Sequence, residues 1–191
     1  MDNFINLLIF PIGPILIVVW GVILFNKLVF LRQNRKNAFS DIDVQLKQRI
    51  DLVPSLVETV KGYAAHEKTV FENVTAARAG VASSSGNMDD RIKAEQKLGM
   101  ALASLYAVAE NYPALKADQN FAQLMSELSD IENKIAAARR FFNNATSQYN
   151  TATEQFPSVI LAKLFRFTPE QFYEDTSMTR AQLETAPSVK F

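Results

Sequence analysis

The chain has 191 residues, 48% of them hydrophobic, with twenty basic and twenty acidic side chains and no cysteine. This length suffices for one membrane anchor and one domain of ordinary size, and the apolar content suffices for a core. A formal net charge of zero gives no indication of nucleic acid or of an acidic substrate as a partner. The lack of cysteine excludes disulfides, thiolate catalysis and cysteine-ligated zinc.

An uncharged apolar run extends from Phe4 to Phe25. As a helix it rises roughly 33 Å, enough to cross a hydrocarbon core of about 30 Å. The run lacks the basic start and the cleavage site of a signal peptide, so we expect a transmembrane helix over residues 4–26 that stays attached. Pro11 and Pro14 are expected to kink or loosen its first half. The predicted membrane-anchor residues are Phe4, Ile5, Leu16, Ile17, Val18, Val19, Trp20 and Phe25.

A basic juxtamembrane helix is predicted over residues 27–45. Its basic side chains directly after the span are Lys27, Arg32, Arg35 and Lys36, and no lysine or arginine precedes the span. Because positive charge favours the cytoplasmic side of a membrane, this asymmetry predicts an N-terminus outside and a cytoplasmic domain. The predicted location is the bacterial inner membrane, with a single pass.

The clearest pattern in the chain is a stripe of apolar side chains in steps of three and four, which predicts one long amphipathic helix. The stripe consists of Phe121, Leu124, Leu128, Ile131, Ile135, Ala138, Phe142, Ala145, Tyr149, Ala152 and Phe156.

A second stripe extends from Leu46 to Val81 and passes Pro54 without a change of phase. No turn-forming cluster surrounds Pro54, so we expect one kinked but continuous helix over this stripe. A third, shorter stripe from Ile92 to Tyr112 predicts another helix. Turn-forming residues at 83–87 and 111–120 predict the two connecting loops.

A helix start is indicated by the residues Thr168-Pro169-Glu170-Gln171, which predict a short C-terminal helix. We therefore expect a helical bundle domain over residues 46–175 and a tail over 176–191. The predicted fold class is all-α: an N-terminal transmembrane helix followed by an elongated antiparallel bundle of three long helices and a short C-terminal helix.

His66 is the only histidine, and it begins a partial zinc-protease motif in which Val70 occupies the second ligand position. One imidazole cannot hold a catalytic zinc, so no metal site or cofactor is predicted. The sequence shows no catalytic constellation and identifies no small-molecule substrate. The alternative is an accessory factor or enzyme of the envelope with a polar site around His66, built with Asp51, Glu58, Tyr63 and Glu67.

The segment 156–167 is short, apolar and aromatic, with two cations near its end. It either contacts lipid or a partner, or folds back over the end of the bundle and covers core. The candidate contact residues are Ile160, Leu161, Leu164, Phe165 and Phe167.

The chain contains several long and specific motifs, among them RKNAF at residues 35–39, DLVPSLVETVKGYAAHEK at 51–68 and YPALKA at 112–117. With these motifs the chain resembles the LemA family over nearly its whole length. The resemblance implies a bacterial protein with an N-terminal anchor and an elongated antiparallel helical bundle, and it supplies no activity, cofactor or catalytic residue. The chain departs mildly from the family pattern, with Phe25 in place of a frequent Tyr and Ser55 in place of a common Asn.

The sequence therefore favours a membrane-anchored, non-enzymatic structural or scaffolding protein, with the lipid bilayer and either further copies of itself or a membrane protein as partners. Long heptads serve equally well inside one bundle or between subunits, so both arrangements remain open.

Overall fold

The computed structural model describes residues 2–84 and 88–173, with side chains described from Gly13 onward. These residues form helices joined by short turns, and the prediction of an all-α fold is confirmed. The helices of the described residues are α1 Asp2–Tyr63, α2 Lys68–Ser83, α3 Met88–Glu110, α4 Pro113–Lys116, α5 Gln119–Glu154 and α6 Ser158–Leu164.

The chain divides into two compact units. Unit 1 comprises Met1–Ile42 and Ala138–Phe172, and unit 2 comprises Asp43–Ala137 and Tyr173–Phe191. The long helices α1 and α5 each contribute one part to unit 1 and one part to unit 2.

In unit 2, α1 and α5 lie antiparallel. An ion pair of 2.8 Å joins Arg49 to Glu132, and a hydrogen bond of 2.8 Å joins Tyr63 to Asp118. The residue numbers therefore increase along α1 in the direction in which they decrease along α5. The apolar stripes of α1, α2, α3 and α5 meet in one core, whose buried members include Val53, Leu56, Val60, Phe71, Val74, Leu98, Leu102, Leu105, Phe121 and Leu128. Burial of each such leucine or phenylalanine contributes about 1.5–3 kcal/mol, so this core holds the four helices together.

The prediction that the helix continues past Pro54 is confirmed, because α1 extends through that proline to Tyr63. The prediction that the same helix continues to Val81 is wrong. Helix α2 begins at Lys68 as a separate element.

A tight turn between α1 and α2 explains the difference. The amide of Glu67 donates to the carbonyl of Ala64 at 3.0 Å, and α2 then returns along α1, where the Arg78 Nε donates to the Ile50 carbonyl at 2.9 Å. Ala64 and Phe71 are one heptad apart and both are buried in the unit 2 core. The heptad phase therefore continues across a reversal of the chain.

The two predicted loops are shorter than expected. Helix α2 includes Ser83, and Ser84 follows it, while 85–87 lie outside the described residues. Within the second loop, α4 forms one helical turn that buries Leu115. The predicted tail over 176–191 also lies outside the described residues.

The prediction of a helix opening at Thr168 is wrong for the residues the structure describes, since 168–173 are not helical. The reason lies in the side chain of Asn150 on α5. Its Oδ1 accepts from the Glu170 amide at 2.8 Å and its Nδ2 donates to the Glu170 carbonyl at 2.9 Å. The Gln171 carbonyl accepts from Arg35 at 3.0 Å. These bonds satisfy backbone groups that a helix would otherwise use.

The stripe of α5 is confirmed from Phe121 to Ala152, whose members are buried or partly buried. Phe156 is the exception, because α5 ends at Glu154 and the Phe156 side chain is exposed.

Candidate functional site

The first part of α1 has an apolar surface that no other described element covers. The consecutive side chains Ile15, Leu16, Ile17, Val18, Val19 and Trp20 are each between 49% and 68% exposed. Six consecutive residues turn through more than one full helical turn, so apolar side chains face outward on every side. A helix that is apolar all round is typical of a buried helix or of a membrane span, and this one is not buried in the protein.

The helical prediction for the span is confirmed, since α1 begins at Asp2 and passes through both Pro11 and Pro14. Among the described residues, one helix is long and apolar enough to cross a membrane, with a mean hydropathy of 2.3 in its most apolar window. The predicted anchor residues Phe4 and Ile5 have side chains outside the described part of the protein.

The four basic residues after the span have different surroundings. Lys27 and Lys36 are exposed. The Arg32 guanidinium lies over the ring of Phe167 at 4.8 Å from its centre. Arg35 is largely enclosed and contacts other parts of unit 1, so its charge is directed into the protein.

The contacts of Arg35 connect three segments of unit 1. Its Nε donates to the Thr146 hydroxyl at 3.1 Å, its Nη1 pairs with Glu170 at 3.4 Å, and its guanidinium lies over the ring of Phe142. Nearby, burial raises the pKa of the Tyr149 phenol, and the negative charge of Glu170 adds to this effect. Arg35 therefore holds α1, α5 and the segment after α6 in register.

Helix α6 packs beside the end of the apolar run of α1. The ring of Phe25 contacts the rings of Phe165 and Phe167 edge to face, with centres 4.8 Å and 5.8 Å apart. Ala162 and Phe167 are buried with Leu28 in the same cluster. Edge-to-face ring pairs add about 0.5–1.5 kcal/mol beyond their burial, so this contact fixes α6 at the level of Phe25.

The chain returns into this cluster because of the way α6 ends. Arg166 adopts a left-handed conformation with φ of 57°. The Phe167 amide then donates to the Ala162 carbonyl at 2.8 Å, which closes the helix end. The consequence is that Phe167 points inward while its neighbours remain outside.

The predicted contact residues of this segment therefore separate into two groups. Leu161 is partly buried and Phe167 is buried. The side chains of Ile160, Leu164 and Phe165 are 59%, 70% and 53% exposed. The sequence pattern identified the segment, but a stretch of seven helical residues is too short for periodicity to assign its faces.

Three of the polar residues considered with His66 contact side chains outside that set. Asp51 pairs with Lys47, Glu58 pairs with Lys61, and Tyr63 donates to Asp118. His66 itself is exposed in the turn between α1 and α2. Among the described residues, no three histidine, aspartate or glutamate side chains come close enough to share a metal ion.

Unit 2 has an open groove of about 850 Å³ along α2 and α3. Small side chains line most of it, together with the charged residues Asp90, Lys93 and Lys97. Gly80 in this groove has open space where a Cβ would stand.

Comparison with known proteins identifies relatives of the chain. It is 24% identical to the magnetosome protein MamQ of Magnetospirillum gryphiswaldense and to magnetosome protein MamQ 1 of Paramagnetospirillum magneticum, over 176 residues in each case. These matches cover 79% of the chain and 65% of each relative, so the chain spans just under two thirds of their length. It is also 22% identical to protein LemA of Metamycoplasma hominis over 161 residues, which cover 84% of the chain and 74% of that protein.

A comparison with family profiles gives a match that covers far more of the chain than any single motif does. The LemA family matches residues 38–191, which include α2 to α6 and the C-terminal part of α1. Together with the motifs at 51–68 and 112–117, this match decides the assignment. The chain belongs to the LemA family.

Proposed function

We propose that this chain is a single-pass membrane protein whose helical bundle is held at the cytoplasmic face of the bacterial inner membrane. There it acts as a non-enzymatic scaffold that associates with further copies of itself or with a membrane protein. The observation that carries the proposal is the exposed, all-round apolar surface of residues 15–20.

The energetics of this surface favour lipid over water. Exposed apolar area costs about 25 cal/mol for each Å² left in water, so six large side chains on one turn and a half of helix would strongly favour transfer into a bilayer. The uncharged run is also long enough to span. Two relatives are named as magnetosome proteins, and neither name refers to a reaction.

Membrane insertion is tested with a matched pair of substitutions. Val18 and Val44 both lie on α1 and are 65% and 53% exposed, but only Val18 lies in the proposed span. An arginine at the centre of a span costs about 2.5–3.5 kcal/mol, so Val18→Arg is expected to increase the fraction extracted from membranes by alkaline carbonate. Val44→Arg is expected to match the wild type. Extraction of the wild-type chain itself would contradict the proposed anchor.

The proposed orientation is supported by the exposed Lys27 and Lys36, which follow the span. Because the chain contains no cysteine, a single introduced thiol is a unique label. In intact spheroplasts, an impermeant maleimide should label Asn3→Cys and should not label Ser104→Cys, which replaces an exposed residue of α3. The reverse labelling would place the bundle outside.

Self-association is tested by the mass of the full-length protein in lipid nanodiscs and in detergent. Discrete multiples of the 21.4 kDa chain in both media would support a self-associating scaffold. A monomer in both media, over the accessible range of concentrations, would exclude self-association. The partner would then be a different protein, to be captured by crosslinking in membranes.

A further inference from the structure

Helix α6 carries apolar side chains on two opposite faces. Ala162 faces the core of unit 1 and is 1% exposed. Ile160 and Leu164 are four residues apart and therefore lie on one face, on the side of the helix opposite Ala162. Both are largely exposed, as are Phe156 before the helix and Phe165 after it. The outward face of α6 is thus as apolar as its inward face.

The position of α6 places this outward face beside the end of the span. Phe165 contacts Phe25 directly, and Phe25 is the last residue of the uncharged run. Leu28 and Val29, which follow Phe25 on α1, pack in the same cluster as Ala162. If Phe25 lies at the boundary between lipid and water, α6 lies at that boundary as well.

Cations accompany the apolar face. Lys163 and Arg166 are both exposed, and Lys27 is exposed on α1 two residues beyond Phe25. Amphipathic helices that lie on membranes combine large apolar side chains with lysine and arginine, which contact anionic headgroups. A contact with a protein core would bury these cations at a cost, whereas a lipid headgroup region provides phosphate for them.

We infer that α6 is an interfacial helix that lies against the same membrane as the span. Its outward face, which carries Ile160 and Leu164, inserts into the boundary between headgroups and acyl chains, with the exposed Phe156 and Phe165 flanking it. Lys163 and Arg166 contact the phosphates of anionic phospholipids. This inference rests on the proposed function, because it needs the apolar run of α1 to be a membrane anchor.

The interfacial helix would give the protein a second membrane contact. A span alone allows the bundle to rotate and tilt about the point where α1 leaves the bilayer. A second contact formed by α6 restrains unit 1 against the membrane surface, since Phe25, Arg32 and Arg35 connect α6 and the segment after it to α1.

Tryptophan fluorescence in vesicles tests the inference on the full-length chain. Trp20 is the only tryptophan, so Trp20→Phe gives a background without tryptophan. In that background, Leu164→Trp reports on the outward face of α6, and Met100→Trp in unit 2 is a matched control, since the two side chains are 70% and 65% exposed. Vesicles of phosphatidylcholine and phosphatidylglycerol carry bromine either near the headgroup end or near the methyl end of the acyl chains.

The expected result is strong quenching of Leu164→Trp by bromine near the headgroup end, weaker quenching by deep bromine, and little quenching of Met100→Trp. This order corresponds to a depth of roughly 5–10 Å, the depth typical of interfacial helices. Equal, weak quenching of both introduced tryptophans would overturn the inference. A blue-shifted but unquenched emission of Leu164→Trp would also overturn it, because a second protein surface would then cover α6.

The native Trp20 separates this inference from the proposed anchor. Quenching of Trp20 by brominated acyl chains in the wild type, together with an unquenched Leu164→Trp, would refute the interfacial helix and leave the anchor in place. An unquenched Trp20 would refute the anchor, and the interfacial helix with it.

Discussion

The phenol of Tyr63 at the end of α1 donates a hydrogen bond of 2.8 Å to the carboxylate of Asp118, which also caps α5. The second oxygen of Asp118 accepts from the Phe121 amide at 2.9 Å. Both bonds lower the pKa of the Asp118 carboxyl, and the bond from Phe121 has the larger effect. One carboxylate therefore both begins α5 and fixes it to α1 in unit 2.

The lowered pKa of Asp118 predicts a pH-dependent stability. A carboxyl whose pKa is lower in the folded state stabilises the fold above its unfolded pKa of about 3.9 and loses this effect as the pH falls through the folded pKa. We expect the stability advantage of the wild type over Asp118→Asn to be present at pH 7 and to disappear in acid. Urea unfolding in detergent, followed by helical circular dichroism across this pH range, measures it. A difference independent of pH would contradict the prediction.

The ionisation of Asp43, in the same unit, is predicted to make stability depend on pH in the opposite direction. Burial raises the pKa of the Asp43 carboxyl, although Arg91 at 2.7 Å opposes the shift. A raised folded pKa favours folding at low pH, and this contribution is lost as the pH rises through the folded pKa. The free energy of unfolding of the wild type, relative to Asp43→Asn, should therefore increase as the pH is lowered. A decrease would show that the ion pair with Arg91 outweighs burial.

Phe142 and Phe141 are adjacent on α5 and form a matched pair. Phe142 is fully buried against Phe39 and Arg35, whereas Phe141 is 51% exposed. Phe142→Ala should lower the free energy of unfolding by about 3–5 kcal/mol, because it removes a core ring and leaves a cavity. Phe141→Ala should change it by roughly 0.5 kcal/mol. Equal losses in the free energy of unfolding, measured with urea, would show that Phe142 is not the buried member of the pair.

Gly80 is predicted to be a site of stabilisation. It lies within α2, and a Cβ at this position would meet no other atom within 4 Å. Gly80→Ala should raise the free energy of unfolding by about 0.5–1 kcal/mol, because alanine has less backbone freedom to lose on folding. The neighbouring exposed Ala79→Gly should lower it by a similar amount. A loss of stability in Gly80→Ala would contradict the open groove.

The elements that the sequence predicted well are those with long periodic stripes. Phe121 to Ala152 repeat without interruption, and a stripe of this length admits one helix. The end of α1 was missed because Ala64 and Phe71 keep the heptad phase across a turn that contains neither proline nor glycine between them. Periodicity reports which side chains are buried and is insensitive to the direction of the chain.

The helix predicted at Thr168 failed for a different reason. Its local sequence favours a helix start, but the Asn150 side chain, twenty residues away, binds the backbone of Glu170. Tertiary contacts of this kind override local propensity and leave no signal in the nearby sequence. The same holds for α6, whose apolar residues were recognised, while the contact of Phe165 with Phe25 could be found only in the structure.

The most direct test of the proposed membrane anchor is the depth of Trp20 in vesicles that contain brominated lipids. The native chain needs no substitution, because Trp20 is its only tryptophan and is 49% exposed within the apolar run. The account predicts a blue-shifted emission that brominated acyl chains quench, because Trp20 lies five residues, about 7.5 Å of helix, inside Phe25. An emission typical of water, unaffected by bromine at any depth, would contradict the anchor and the scaffold held by it.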